Sequence, residues 1–155
     1  MNPYDKEKTR EIWKRVLSEE EPMECHAMDS EKLRKMIEIE KTDACIYRML
    51  ARCTSGKNAE CLRRIAREEA CHARKLEALF YLWTGKRACV VSGKLPHYRC
   101  LAEALRARHP MELTGAEQYR EAAEQLPEFR EHFCRLADDE SRHAEQVLCM
   151  LQHYV

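Results

Sequence analysis

The chain has 155 residues, of which 45% are hydrophobic and 35% charged, with four glycines and five prolines. That length supports one domain with a core of its own, and the 27 basic side chains balance 27 acidic ones, so no net field recruits nucleic acid or an anionic membrane. No apolar run approaches the roughly 20 residues of a bilayer span, and residues 1–8 lack the apolar stretch of a secretory signal, so a cytoplasmic location is expected.

In chain order, residues 3–19 predict a short amphipathic helix with Ile12, Trp13, Val16 and Leu17 on one side. The polar link Glu19-Glu20-Glu21-Pro22 leads to Asp29-Ser30, an N-cap for the next helix. Residues 1–28 are therefore expected to precede the main domain, which occupies 29–155. A helix over 30–53 carries the inward stripe Leu33, Ile37, Glu40, Ala44, Tyr47 and Leu50 or Ala51, and Gly56 is placed to take a left-handed C-cap. A second helix, over 58–84 with Asn58 as its cap, carries Leu62, Ile65, Glu69, His72, Leu76, Leu79 and Trp83. The connection is short enough to make these two antiparallel neighbours.

Over 85–109 the pattern loosens at Val90-Val91-Ser92-Gly93 and Pro96. Such a stretch can travel the length of a helix, so a long crossover is predicted, leaving the second and third helices parallel. Pro110 suits the first position of the third helix, which runs to about 125 with Glu112, Ala116, Tyr119 and Ala123 inward. Whether a helical piece at 98–108 joins it through a proline kink is open from sequence. Pro127 opens the fourth, over 127–153, with Phe129, Phe133, Leu136, Glu140, His143, Val147, Met150 and Tyr154 stepping by four and three. The fold class is an all-α four-helix bundle plus a short N-terminal helix.

The two helix pairs, about 30–84 and 110–153, are copies of one unit. Glu69-Ala70-Cys71-His72-Ala73 matches Glu140-Ser141-Arg142-His143-Ala144 at an offset of 71, and Glu40 with Tyr47 matches Glu112 with Tyr119 at an offset of 72. A lone Glu-x-x-His is a weak sign in a chain this acidic. Two of them, each following a Glu-x-Thr-x-Ala-x-x-Tyr and each in core register, are not supplied by chance. Four carboxylates and two imidazoles facing one core would lose hydration at several kcal/mol per ion. Two divalent cations offset those charges, with Glu40 and Glu112 singly, Glu69 with His72, and Glu140 with His143 as the expected ligands.

Other residues carry two readings each. Tyr47 and Tyr119, two turns from the single glutamates, are either partners of the ligands or electron relays, or else plain core aromatics. Glu68 and Asp139 are either partners of a facing imidazole or solvated acids. The remaining histidines, His26, His97, His109, His132 and His153, are expected at the surface or at caps. The nine cysteines show no CxxC spacing and are expected as buried thiols in a reducing compartment, while Cys71, beside a ligand, reads either as packing, the favoured reading, or as redox active.

In these residues the chain resembles the ferritin-like superfamily, and its rubrerythrin-type branch in particular. The resemblance covers about residues 30–153 and implies a bundle with one long crossover between its second and third helices. It further implies that Glu40 and His72 bind one metal, that Glu112 and His143 bind the other, and that Glu69 and Glu140 bridge them. Two iron ions, reacting with hydrogen peroxide or dioxygen, an electron-donor protein and a homodimer or larger assembly follow from the same likeness. Two departures stand out. The paired cysteines of a rubredoxin domain are missing, and Gly115 stands where that branch has a further metal-binding Glu, leaving a four-Glu, two-His set like that of bacterioferritins. The expected activity is peroxide reduction. Ferroxidase-coupled iron storage, a dimanganese catalase and a non-catalytic metal-binding bundle are the alternatives, since carboxylate and imidazole accept iron and manganese alike.

Overall fold

The structure is a computed structural model that describes residues 30–154. The expected N-terminal helix and link, with Asp29, Cys25 and His26, lie outside the described residues. Among the described residues four α-helices make up the fold: α1 (Ser30–Leu50), α2 (Gly56–Thr84), α3 (Leu101–Gln125) and α4 (Arg130–Leu151). Short 3-10 turns at Pro127–Phe129 and Gln152–Tyr154 flank α4. This is an all-α ferritin-like bundle, built as two hairpins, α1 with α2 and α3 with α4. Among the described residues no helix is long and apolar enough to cross a membrane.

The hairpin turns follow local chemistry. Gly56 takes φ 57 between α1 and α2, a conformation that costs glycine no Cβ clash. It opens α2, so Asn58 lies inside the helix rather than capping it, and Ser55 occupies the N-cap place. Gly85 ends α2 in the left-handed conformation, with φ 69, and its N–H donates to the Tyr81 carbonyl at 2.9 Å.

Beyond Gly85 the chain runs without regular structure along α1. Arg34 Nη1 donates to the Ala88 carbonyl at 2.6 Å, Lys41 Nζ to the Val90 carbonyl at 2.5 Å, and Gly93 N–H to Thr42 Oγ1 at 2.7 Å. Tyr98 and Leu101 then pack beside Ile46 and Leu50, at the far end of α1. The crossover therefore traverses the bundle and sets α3 parallel to α2.

The third helix differs from expectation. It begins at Leu101, so Pro110 lies in its interior and not at its first position. A proline there removes one backbone hydrogen bond, to the carbonyl of Arg106, and both Pro110 and Arg106 are exposed residues. The turn before it is held by buried Ala104, Leu105 and Arg108, and Glu103 accepts the Arg99 N–H at 2.7 Å at the helix start. The fourth helix is also trimmed: Pro127 opens the 3-10 turn, and Tyr154, beyond the end of α4, is exposed.

Two apolar clusters fill the interior. One holds Leu33, Ile37, Leu76, Phe80, Phe133 and Leu136, and the other Ile46, Leu50, Leu62, Ile65, Leu105 and Val147. Between them lies a buried polar layer. None of the eight described cysteines belongs to the core: Cys45, Cys61 and Cys71 are half-buried, and Cys53, Cys89, Cys100, Cys134 and Cys149 are exposed. The expectation of buried thiols fails for a geometric reason. Cys71, Cys134 and Cys149 each adjoin a buried residue, and one residue along a helix turns a side chain about 100° off the face.

Candidate metal centre

The polar layer is made of Glu40 from α1, Glu69 and His72 from α2, Glu112 from α3, and Glu140 and His143 from α4, all buried. Each sits in the apolar stripe of its helix, so packing of the stripes drives the six to the bundle axis. His72 Nδ1 lies 3.1 Å from Glu69 Oε2, 3.4 Å from Glu40 Oε2 and 3.0 Å from Glu140 Oε1. His143 Nδ1 lies 3.0 Å from Glu69 Oε1, 3.7 Å from Glu112 Oε2 and 3.9 Å from Glu140 Oε2. Two groups thus have ligand atoms within 4.8 Å of one another: Glu40, Glu69, His72 and Glu140, and Glu69, Glu112, Glu140 and His143. Glu69 and Glu140 belong to both and turn one oxygen toward each imidazole.

The outer atoms of the same groups are occupied. Tyr119 donates to Glu40 Oε1 at 2.5 Å, and Tyr47 donates to Glu112 Oε1 at 2.6 Å, so each tyrosine serves the glutamate of the other half. His72 Nε2 contacts Asp139 Oδ2 at 3.1 Å and His143 Nε2 contacts Glu68 Oε2 at 2.7 Å. Arg142 reaches both of those outer acids, with Nη1 3.1 Å from Glu68 Oε2 and Nη2 on Asp139. With Nε2 engaged outward, each Nδ1 faces the interior, where the loss of its proton would leave a lone pair in the arrangement a metal-bound imidazole uses. Of the other histidines, His97, His132 and His153 are exposed and His109 is half-buried.

Two charged residues escaped the sequence reading. Arg108 is 4% exposed, and its Nη2 donates to Asp43 Oδ2 at 2.5 Å and to Glu112 Oε1 at 2.7 Å. Its guanidinium also lies 5.3 Å from the Tyr47 ring centroid. The available signal was the Arg four residues before Glu112, a spacing that pairs side chains on one helix face. Placing Pro110 at the helix start hid it.

Without a cation the layer balances its charge with protons. Burial, with Glu69 adding repulsion, pushes Glu40 up to about 8, and burial likewise drives Glu140 well above the carboxylate range. Burial would raise Glu69 too, but the close imidazoles of His143 and His72 hold it low. Burial would lower both imidazoles, yet the facing carboxylates of Glu112 and Glu69 bring His143 up to about 11, and those of Glu140, Glu40 and Glu69 raise His72 further. Asp43 is raised to about 7 by burial, against the pull of Arg108. Burial and adjacent carboxylates keep Tyr47 and Tyr119 protonated, as donors.

Six buried side-chain atoms have no hydrogen-bond partner: Glu40 Oε2, Glu69 Oε1, Glu112 Oε2, Glu140 Oε1, His143 Nδ1 and Arg108 Nε. Five of them are inward-facing ligand atoms. Buried polar groups are otherwise paired almost without exception, so the residues present fit a dimetal group.

A helical bundle whose apolar core is interrupted by such a layer of carboxylate and imidazole defines the ferritin-like class of metal-binding proteins. Comparison with family models agrees and narrows it: the rubrerythrin model matches residues 31–147. The chain belongs to the rubrerythrin family. No curated protein matches the sequence.

Proposed function

We propose that this protein is a di-iron oxidoreductase that reduces hydrogen peroxide to water. The observation that carries the reading is the coincidence of unpartnered buried atoms with the inward ligand positions. Glu40 and His72 would hold one ion and Glu112 and His143 the other, with Glu69 and Glu140 shared between them. A ferrous pair held there would supply the two electrons that, with two protons, turn peroxide into two waters, and an electron-donor protein would return those electrons.

The chain's own contribution is placement. Tyr119 and Tyr47 fix one oxygen of each terminal glutamate and leave the other facing inward, while Asp139 and Glu68 fix the imidazole rings. Both tyrosines hold their protons strongly, so their role is to position the ligands. The apolar clusters above and below exclude bulk water. A dimer or larger assembly in the cytoplasm is part of this reading.

The test is anaerobic loading with ferrous iron, then one equivalent of peroxide, followed by absorbance with and without an added reductant. Two irons per chain, rapid oxidation and turnover with the donor support peroxide reduction. A second reading, ferroxidase activity feeding an iron store, draws on Gly115: with no side chain at 115, beside Glu140, the symmetric four-Glu set has no fifth carboxylate at that place. A hollow high-mass shell favours that reading, and a small oligomer favours the first. Manganese uptake with donor-free disproportionation would replace both.

A further inference from the structure

The repeat that builds the centre is broken at one buried charge. Arg108 lies four residues before Glu112, and the matching place before Glu40, at the offset of 72, is Met36, also buried. The other partner of Arg108, Asp43, matches Gly115 in the same way. Glu112 Oε1 thus accepts two hydrogen bonds, from Tyr47 at 2.6 Å and from the Arg108 guanidinium at 2.7 Å. Glu40 Oε1, among the described residues, accepts one, from the neutral Tyr119.

The consequence for a cation is electrostatic. A guanidinium bond draws electron density from the carboxylate it holds and is roughly twice as strong as a neutral one. The side chain of Arg108 is 5% exposed, so its full charge acts on the layer with little screening by water. Asp43 offsets part of that charge from the far side, 2.5 Å from Nη2. The Glu40–His72 side has neither group.

We propose that Arg108 makes the two metal positions unequal, so that a divalent cation fills the Glu40–His72 side first and the Glu112–His143 side second, with Asp43 setting the size of the gap. Arg108 is a positioning residue that acts through Glu112. The proposal rests on the metal-centre reading above, and the experiment separates the two.

The probe is cobalt(II) titrated into the metal-free full chain at one fixed pH above the range in which Asp43 takes up a proton, followed by visible absorbance and calorimetry. Two steps are expected, separated by about tenfold or more in dissociation constant, the scale on which groups behind the ligands act. His72→Ala should remove the tighter step and His143→Ala the weaker. R108M, which puts at 108 the residue of the matching place but leaves Asp43 unpaired beside Glu112, should narrow the gap to about threefold or less or reverse the order of the steps. D43N, which strips the offsetting charge from Arg108, should move them further apart by a similar factor. Equal steps in the parent protein, an unchanged gap in R108M, or a narrower gap in D43N would overturn the inequality while leaving the centre intact. If R108M does not fold, the direction of the D43N change decides. No cobalt bound at all would overturn the centre and the inequality together.

Discussion

Tyr119 on α3 donates its phenol proton to Glu40 on α1 at 2.5 Å, and Tyr47 on α1 returns the bond to Glu112 on α3 at 2.6 Å. The two bonds are exchanged between the halves of the repeat, so neither half satisfies its own terminal carboxylate.

Removing these bonds should cost unequal amounts. In the metal-loaded protein, where both terminal glutamates are ionised, a hydrogen bond to a charged group contributes about 1.5–3 kcal/mol, so Tyr119→Phe should destabilise the protein by about 2 kcal/mol. Tyr47→Phe should cost about 1 kcal/mol, because Arg108 still donates to the same oxygen of Glu112. Urea denaturation of the two variants, compared at one pH, measures the difference.

Glu69 offers Oε2 toward His72 and Oε1 toward His143. Changing Glu69 and Glu140 together to Ala should therefore abolish binding at both positions, whereas Glu40→Gln should weaken one. Metal analysis after exhaustive desalting gives the stoichiometry, and retention of both ions by the double variant would refute the bridging assignment.

The outer acids are expected to matter for affinity more than for folding. Asp139→Asn should loosen the His72 ring and lower metal affinity by roughly 10–100-fold, and Glu68→Gln should do the same at His143. Asp139 and Glu68 are only partly buried and lie inside helices, so circular dichroism should not change while the binding isotherm does.

The protons that replace metal set a pH dependence. His143 is raised to about 11 and His72 above its ordinary value, so their stabilisation is complete below about pH 6.5 and is lost as pH rises. Glu40, raised to about 8, loses its contribution over the same direction, from about pH 4.5 upward. Glu69 and Glu112 are lowered, so what they contribute is present above their unfolded values and is lost on acidification. Metal-free protein should melt at a lower temperature near pH 9 than near pH 6, and a bound divalent cation should flatten that decline by taking the place of the protons.

Gly115 sits inside α3, where glycine costs about 0.5–1 kcal/mol relative to alanine. An added methyl would meet Glu140 at ordinary contact distances, 3.4 to 3.7 Å. Gly115→Ala should raise the melting temperature and leave metal stoichiometry unchanged.

Much of this arrangement was legible in the chain because helix periodicity reports burial directly. Glu40, Glu69, His72, Glu112, Glu140 and His143 fall in apolar stripes, and those stripes do meet in one buried layer. What failed depended on tertiary context. Pro110 reads as a helix start by local rules, but burial of Leu105 and Arg108 against the first hairpin extends α3 through it. Exchange of the tyrosine bonds between halves was invisible, because a stripe says which face is inward and not which neighbour it meets. The cysteines were misread from composition, since a thiol is small enough to pack but also tolerable one step off the face.

Every ion position here draws on both hairpins: the first half lends Glu69 to the second position and the second half lends Glu140 to the first. Most helical hydrogen bonds, by contrast, close within one helix. Ion retention would thus report the docking of the halves where the far-ultraviolet signal would not, and a chain whose halves had formed without docking would be largely helical yet lack the full ligand set of either position.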